Sequence, residues 1–142
     1  MTCKVRKGFG FLGAAVLAFG FAAKAEAQVT YTCTLSSSQS KSWIPDVLFI
    51  GHDAAKTRVV VSDPIVLYFN DRQPVEGRIS ADNAKRITFA WNYVAKDSKG
   101  QTAKMLFRAT WNKATEKMKV TATPAGFSKG AVGPGTCDRA PP

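Results

Sequence analysis

Along residues 85–123 apolar and polar positions alternate with a period of two. Ile87, Phe89, Trp91, Tyr93 and Ala95 fall on one side, Arg86, Thr88, Ala90 and Asn92 on the other. Successive side chains of a strand point to opposite faces, so the pattern predicts a half-buried strand. Residues 96–102 (KDSKGQT) are polar and contain Gly, a turn signal. Alternation resumes with Ala103, Met105, Phe107, Ala109 and Trp111 against Lys104, Leu106, Arg108 and Thr110. Past a polar turn at 112–116, Met118, Val120 and Ala122 alternate with Lys117, Lys119, Thr121 and Thr123. Three consecutive antiparallel strands are expected, with one apolar face and one cationic, Thr-rich face.

The N-terminal half repeats the pattern in shorter pieces. Residues 29–35 (VTYTCTL), 46–52, 58–62 and 75–81 read as strands, linked by 36–42 (SSSQSKS), 53–57 (DAAKT) and the turn at Asp82, Asn83 and Ala84. Residues 63–69 (DPIVLYF) give two signals. Asp63 followed by Pro64 suits a helix start, whereas Ile65, Val66, Tyr68 and Phe69 favour a strand. The segment is taken as extended, with a single helical turn as the alternative. Residues 124–142 are rich in Gly and Pro and are expected to be an irregular tail. The fold class is therefore all-β, a small antiparallel meander of seven or eight strands. It either closes as a barrel or folds as a sandwich. Large aromatics on the inward side favour a filled barrel interior over a ligand cavity. The apolar run Trp43-Ile44-Pro45 is expected to plug one end, or else to stand exposed as a partner-binding knob.

The N-terminal segment changes the picture of where the chain works. Residues 1–27 read as a secretory signal peptide. Lys4, Arg6 and Lys7 precede an apolar run at 8–23, and Ala25-Glu26-Ala27 offers small residues for cleavage before Gln28. The run is short for a membrane span, which takes about 20 residues, although an uncleaved anchor is the alternative. Cleavage after Ala27 leaves a single domain over 28–142, a length that suits one domain. The whole chain carries 20 Lys+Arg and 10 Asp+Glu, a net +10. The signal holds Lys4, Arg6, Lys7, Lys24 and Glu26, so 16 basic and 9 acidic residues remain, a net +7. Cys3 leaves as well. An even pair in an exported protein, Cys33 and Cys137, is expected to form a disulfide between the first strand and the tail. A redox pair would call for a C-x-x-C spacing, which these cysteines lack.

Little in the chain points to catalysis. The one His, His52, is followed by Asp53, but neighbours on a strand face opposite ways and do not make a hydrolase triad. A lone His without Cys partners makes a poor transition-metal site. The carboxylates fall at predicted strand ends and turns, where they bond nearby backbone. The expectation is a non-enzyme with no catalytic residues, metal or cofactor. The best functional candidate is the cationic face formed by Arg78, Lys85, Arg86, Lys104, Arg108, Lys117 and Lys119. Such a surface attracts polyanions through a field that salt screens. Export removes nucleic acid as a partner and leaves anionic lipid, acidic glycan or an acidic envelope protein. The alternative is a solvated face that keeps the domain soluble. No membrane span is expected once the signal is cleaved. A protein-binding inhibitor or accessory subunit is the second functional reading.

Several strings carry a resemblance. WIP at 43–45, DPI at 63–65, DNAKRITFAW at 82–91, FRATWNKAT at 107–115 and GTC at 135–137 resemble small exported proteins of alphaproteobacteria. That resemblance implies a Gram-negative periplasm and transfers no activity and no site residue. Tyr31-Thr32-Cys33 is similar to the Tyr-x-Cys of periplasmic C-type lysozyme inhibitors, which are also small disulfide-bearing β-barrels. Those inhibitors face a cationic enzyme and call for an acidic or neutral surface, whereas this chain is basic.

Overall fold

A computed structural model describes residues 28–37, 43–53, 55 and 58–140. The predicted signal peptide, residues 38–42 of the first loop, and residues 54, 56 and 57 of the next turn lie outside the described residues. Eight strands follow in order: β1 (Gln28–Leu35), β2 (Val47–Asp53), β3 (Arg58–Ser62), β4 (Val75–Asp82), β5 (Arg86–Lys96), β6 (Thr102–Asn112), β7 (Lys117–Pro124) and β8 (Ala131–Ala140). Each pairs antiparallel with its neighbour in sequence, and β1 pairs with β8 to close a barrel. Closure leaves no sheet edge with unpaired backbone groups.

The alternation read from the sequence becomes inside and outside. Phe89, Trp91 and Tyr93 of β5 stand opposite Ala109, Phe107 and Met105 of β6, and all six are buried. Trp91 stacks on Phe107 with centroids 5.3 Å apart, and Tyr31 meets Phe89 and Trp111 edge-on at 5.4 and 5.3 Å. Offset and edge-on contacts are the arrangements aromatic quadrupoles favour. The middle of the barrel is thus filled with side chains, as eight strands allow.

The expected irregular tail is corrected: residues 131–140 form β8 and complete the barrel. A Cβ on Gly133 would strike Ile44, and one on Gly135 would strike the Thr34 carbonyl and lie 2.7 Å from Leu35 Cδ2. Glycine in this strand marks close approach of other chain segments, not irregularity. The expected disulfide is present. Cys33 and Cys137 are direct register partners across the β1–β8 seam, with Cα atoms 4.0 Å apart.

The second correction concerns residues 63–69. They are helix α1 (Pro64–Phe69), with Pro at its start. Asp63 Oδ1 accepts hydrogen bonds from the backbone N–H groups of Ile65 (2.7 Å) and Val66 (2.8 Å). The cap and the preset φ of Pro64 outweigh the strand preference of Ile65 and Val66. Eight strands are therefore reached with β8 and without this segment. The helix closes one end of the barrel. Phe69 stacks on Tyr93 at 6.0 Å, Trp43 packs on Phe69 at 5.9 Å, and Ile44 is buried, so the WIP segment plugs the same end.

Asp63 is only 2% exposed. Burial raises its carboxyl pKa above the ordinary value, and its two backbone hydrogen bonds work against that rise. An asparagine carbonyl can accept the same two bonds without a buried charge. Asp63→Ala is expected to cost about 1 kcal/mol, within the usual range for a lost N-cap, and Asp63→Asn markedly less. Chemical denaturation of the two variants checks this. Equal losses would show that the cap bonds do not carry the effect.

Candidate anion-binding face

The outer surface of β5–β8 is built from cross-strand rows. Thr88 lies beside Thr110, Lys119 and Pro134, and the next row runs Ala90, Arg108, Thr121 and Val132. The shorter side chains of these rows, Thr110, Thr121, Val132 and Pro134, form a lower floor between the long ones. Thr88 is buried, and its hydroxyl lies 3.0 Å from that of Thr110. Long cations rise around this floor. Arg86, Arg108, Lys117 and Lys119 are all exposed and line one open groove of about 580 Å³. No carboxylate among the described residues lines it. Among the described residues the ion pairs are Arg58–Glu76 at 3.4 Å and Lys113–Asp82 at 2.7 Å, so none of the four groove cations is neutralised by one.

Four of the seven candidates therefore meet, and three stand apart. Arg78 is opposite Ala90 on β4, on the far side of β5 from Arg108. Lys85 sits in the β4–β5 turn, where its N–H donates to Asn83 and its carbonyl accepts from the Lys113 N–H. Lys104 lies toward the capped end of β6, opposite Val94. Strand phase alone places a residue on a face. Position along the strand decides which cations share a groove.

The other sequence candidate, His52, points inward and packs edge-on against Phe89 at 5.8 Å. Asp53 accepts from the Ala55 N–H at 3.0 Å. Burial holds the His52 pKa below its ordinary value, with Asp82 and Asp53 opposing and nearby Arg139 adding to the lowering. The imidazole is therefore neutral at neutral pH.

The open end of the barrel carries polar residues that sequence reasoning passed over. In β4 the register slips between Ile79 and Ala81, a bulge. Ile79 pairs with inward Phe89, and past the bulge it is Asp82 that pairs with inward Ile87. Simple alternation from Arg78 and Ser80 would have put Asp82 outside. Bulges re-aim side chains in this way. Asp82 there meets Lys113. Arg139 pairs with inward Tyr31 and lies over the Trp111 ring, 6.0 Å from its centroid. One signal could have found Arg139. A disulfide-forming Cys137 on a strand faces the interior, and the residue two further on shares that face.

Among the described residues, no three His, Cys, Asp or Glu side chains come together as a metal site would require. Compared with known proteins, the chain matches no family model, no curated protein and no solved structure.

Proposed function

We propose that this protein is an exported, non-enzymatic β-barrel that binds an anionic component of the bacterial envelope through its basic outer groove. The single observation that carries the reading is the groove itself: Arg86, Arg108, Lys117 and Lys119 around Thr110, Thr121, Val132 and Pro134, with no carboxylate among the described residues that line it. Four cations that approach together form a concave positive site, and clefts of one sign concentrate counter-ions. Arg suits phosphate and carboxylate bidentately, and Lys adds a mobile point charge. Near an anionic lipid surface each basic residue contributes about 1 kcal/mol. The four together are then worth about 4 kcal/mol, a dissociation constant of about 1 mM before any multivalent gain. The signal-peptide pattern of residues 1–27 and the disulfide across the seam support an oxidising compartment outside the cytoplasm.

Co-sedimentation with vesicles tests the reading. The protein is expected to bind vesicles containing an anionic phospholipid, and not purely zwitterionic ones, at about 0.15 M salt, where the screening length is about 8 Å. Binding equally to both, or to neither and to no acidic glycan column, would remove the proposal. A single stoichiometric protein captured from envelope extract would instead favour a protein-binding role.

A further inference from the structure

A second site, separate from the outer groove, follows from the open end of the barrel. A recess of about 370 Å³ there is walled by the apolar and aromatic side chains of Val29, Tyr31, Ile87 and Trp111. Phe89 packs edge-on against Tyr31 and His52, two of the residues that line it, at 5.4 and 5.8 Å. The size is at the low end for ligand pockets, about 300–1,000 Å³.

Two polar side chains in this wall are more than nine-tenths buried. Trp111 is 6% exposed and His52 is 8% exposed. Trp111 Nε1 and His52 Nε2 have no hydrogen-bond partner among the described residues. Buried polar nitrogens are rarely left unpaired, because desolvation is not repaid. Two more such atoms, Trp91 Nε1 and Tyr93 Oη, are also inside the barrel. Tyr93 lies toward the end that α1 and Trp43 close, away from the recess.

The charges at the recess are unequal. Lys113 is committed to Asp82 at 2.7 Å. Arg139 has only its ring contact with Trp111 and no ion pair among the described residues. The balance is one free guanidinium above apolar walls. We propose that the mouth of the barrel binds a small amphipathic monocarboxylate, its apolar body against Tyr31, Trp111 and Ile87 and its carboxylate on Arg139. A cation would find Asp82, the one carboxylate among the described lining residues, already paired with Lys113. A bare inorganic anion would gain nothing from the four apolar and aromatic walls. The planar guanidinium fork matches a carboxylate.

Calorimetric titration of the exported protein with 3-phenylpropanoate, its uncharged amide and inorganic phosphate tests the site. The acid is expected to bind at least about tenfold more tightly than the amide or phosphate, since a charge-assisted bidentate contact is worth more than a neutral one. Arg139→Gln is expected to weaken the acid about tenfold and to leave the amide unchanged. Arg139→Lys keeps the charge without the fork and is expected to fall between. Neutralising Lys119 in the outer groove should not alter acid binding, which separates this site from the vesicle-binding face. A matched thermal melt confirms that each variant is folded. No binding of the acid by the folded wild type, or equal binding of acid and amide, or an Arg139→Gln variant that binds the acid normally, would each overturn the proposal.

Discussion

Replacing Cys33 and Cys137 together by alanine is expected to lower the stability of the barrel by about 2–5 kcal/mol, the usual cost of losing a native disulfide in a small exported domain. The bond joins residues 104 apart in sequence. In the chain-entropy model a loop of that length is worth up to about 4.7 kcal/mol. Its position makes the effect large for a second reason. Among the described residues, every other ladder of the barrel joins strands consecutive in the chain, and only β1–β8 joins the two ends. That ladder carries the largest loop-closure cost, and the disulfide removes it from the folding balance. Urea denaturation with and without reductant measures the effect. Coincident midpoints for the native and the doubly substituted protein would show that backbone pairing alone holds the seam.

A valine at Gly135 should be at least as damaging. A Cβ there would collide with the Thr34 carbonyl and come within 2.9 Å of Leu35 Cα. These are backbone atoms of the paired strand, so no side-chain rotation makes room. Overpacking of a tight site costs about 1–3 kcal/mol and more where the obstacle cannot move. We expect about 3 kcal/mol or more, read as a fall in melting temperature or as failure of the folded protein to accumulate. Gly51 provides the contrast. A Cβ there meets only the Val60 carbonyl at 3.9 Å, an ordinary contact. Gly51→Ala is therefore expected to be nearly neutral. If both glycines tolerated a side chain equally, the close approach at the seam would be wrong.

These two positions show what the sequence discloses and what it hides. The three long strands were legible because Phe89, Trp91, Phe107 and Trp111 alternate with Lys, Arg and Thr, and burial on one face of a sheet demands that period. The disulfide was legible from the two cysteines left once residues 1–27 are read as a signal peptide. β8 was not legible. Its glycines, needed to let β1 and Ile44 approach, look like loop residues when their neighbours in space are unknown. The helix at 64–69 was half legible: Asp63 and Pro64 announced it, but the strand preference of the residues behind them is a purely local signal. Whether a cap wins depends on Val66 and Phe69 finding the barrel end to cover.

The candidate sites divide in the same way. The cationic face was readable from strand phase, and its groove needed the register that brings Arg86, Arg108, Lys117 and Lys119 together. The mouth was hidden, because a bulge turns Asp82 inward and because Arg139 sat in a segment taken for an irregular tail.

Binding to anionic vesicles by the protein and by two fourfold-neutralised variants tests the proposed function most directly. In one variant the groove residues Arg86, Arg108, Lys117 and Lys119 become glutamine. In the other, Arg58, Arg72, Lys96 and Lys99, which do not line the groove, are neutralised, so the net charge is the same. If the groove is the binding face, the first variant loses about a hundredfold or more at low salt, since each basic residue near such a surface contributes about 1 kcal/mol. The second then binds within a few-fold of the native protein. Equal loss in both variants would mean that net charge alone governs the attraction, and unchanged binding in the first would contradict the groove as the site.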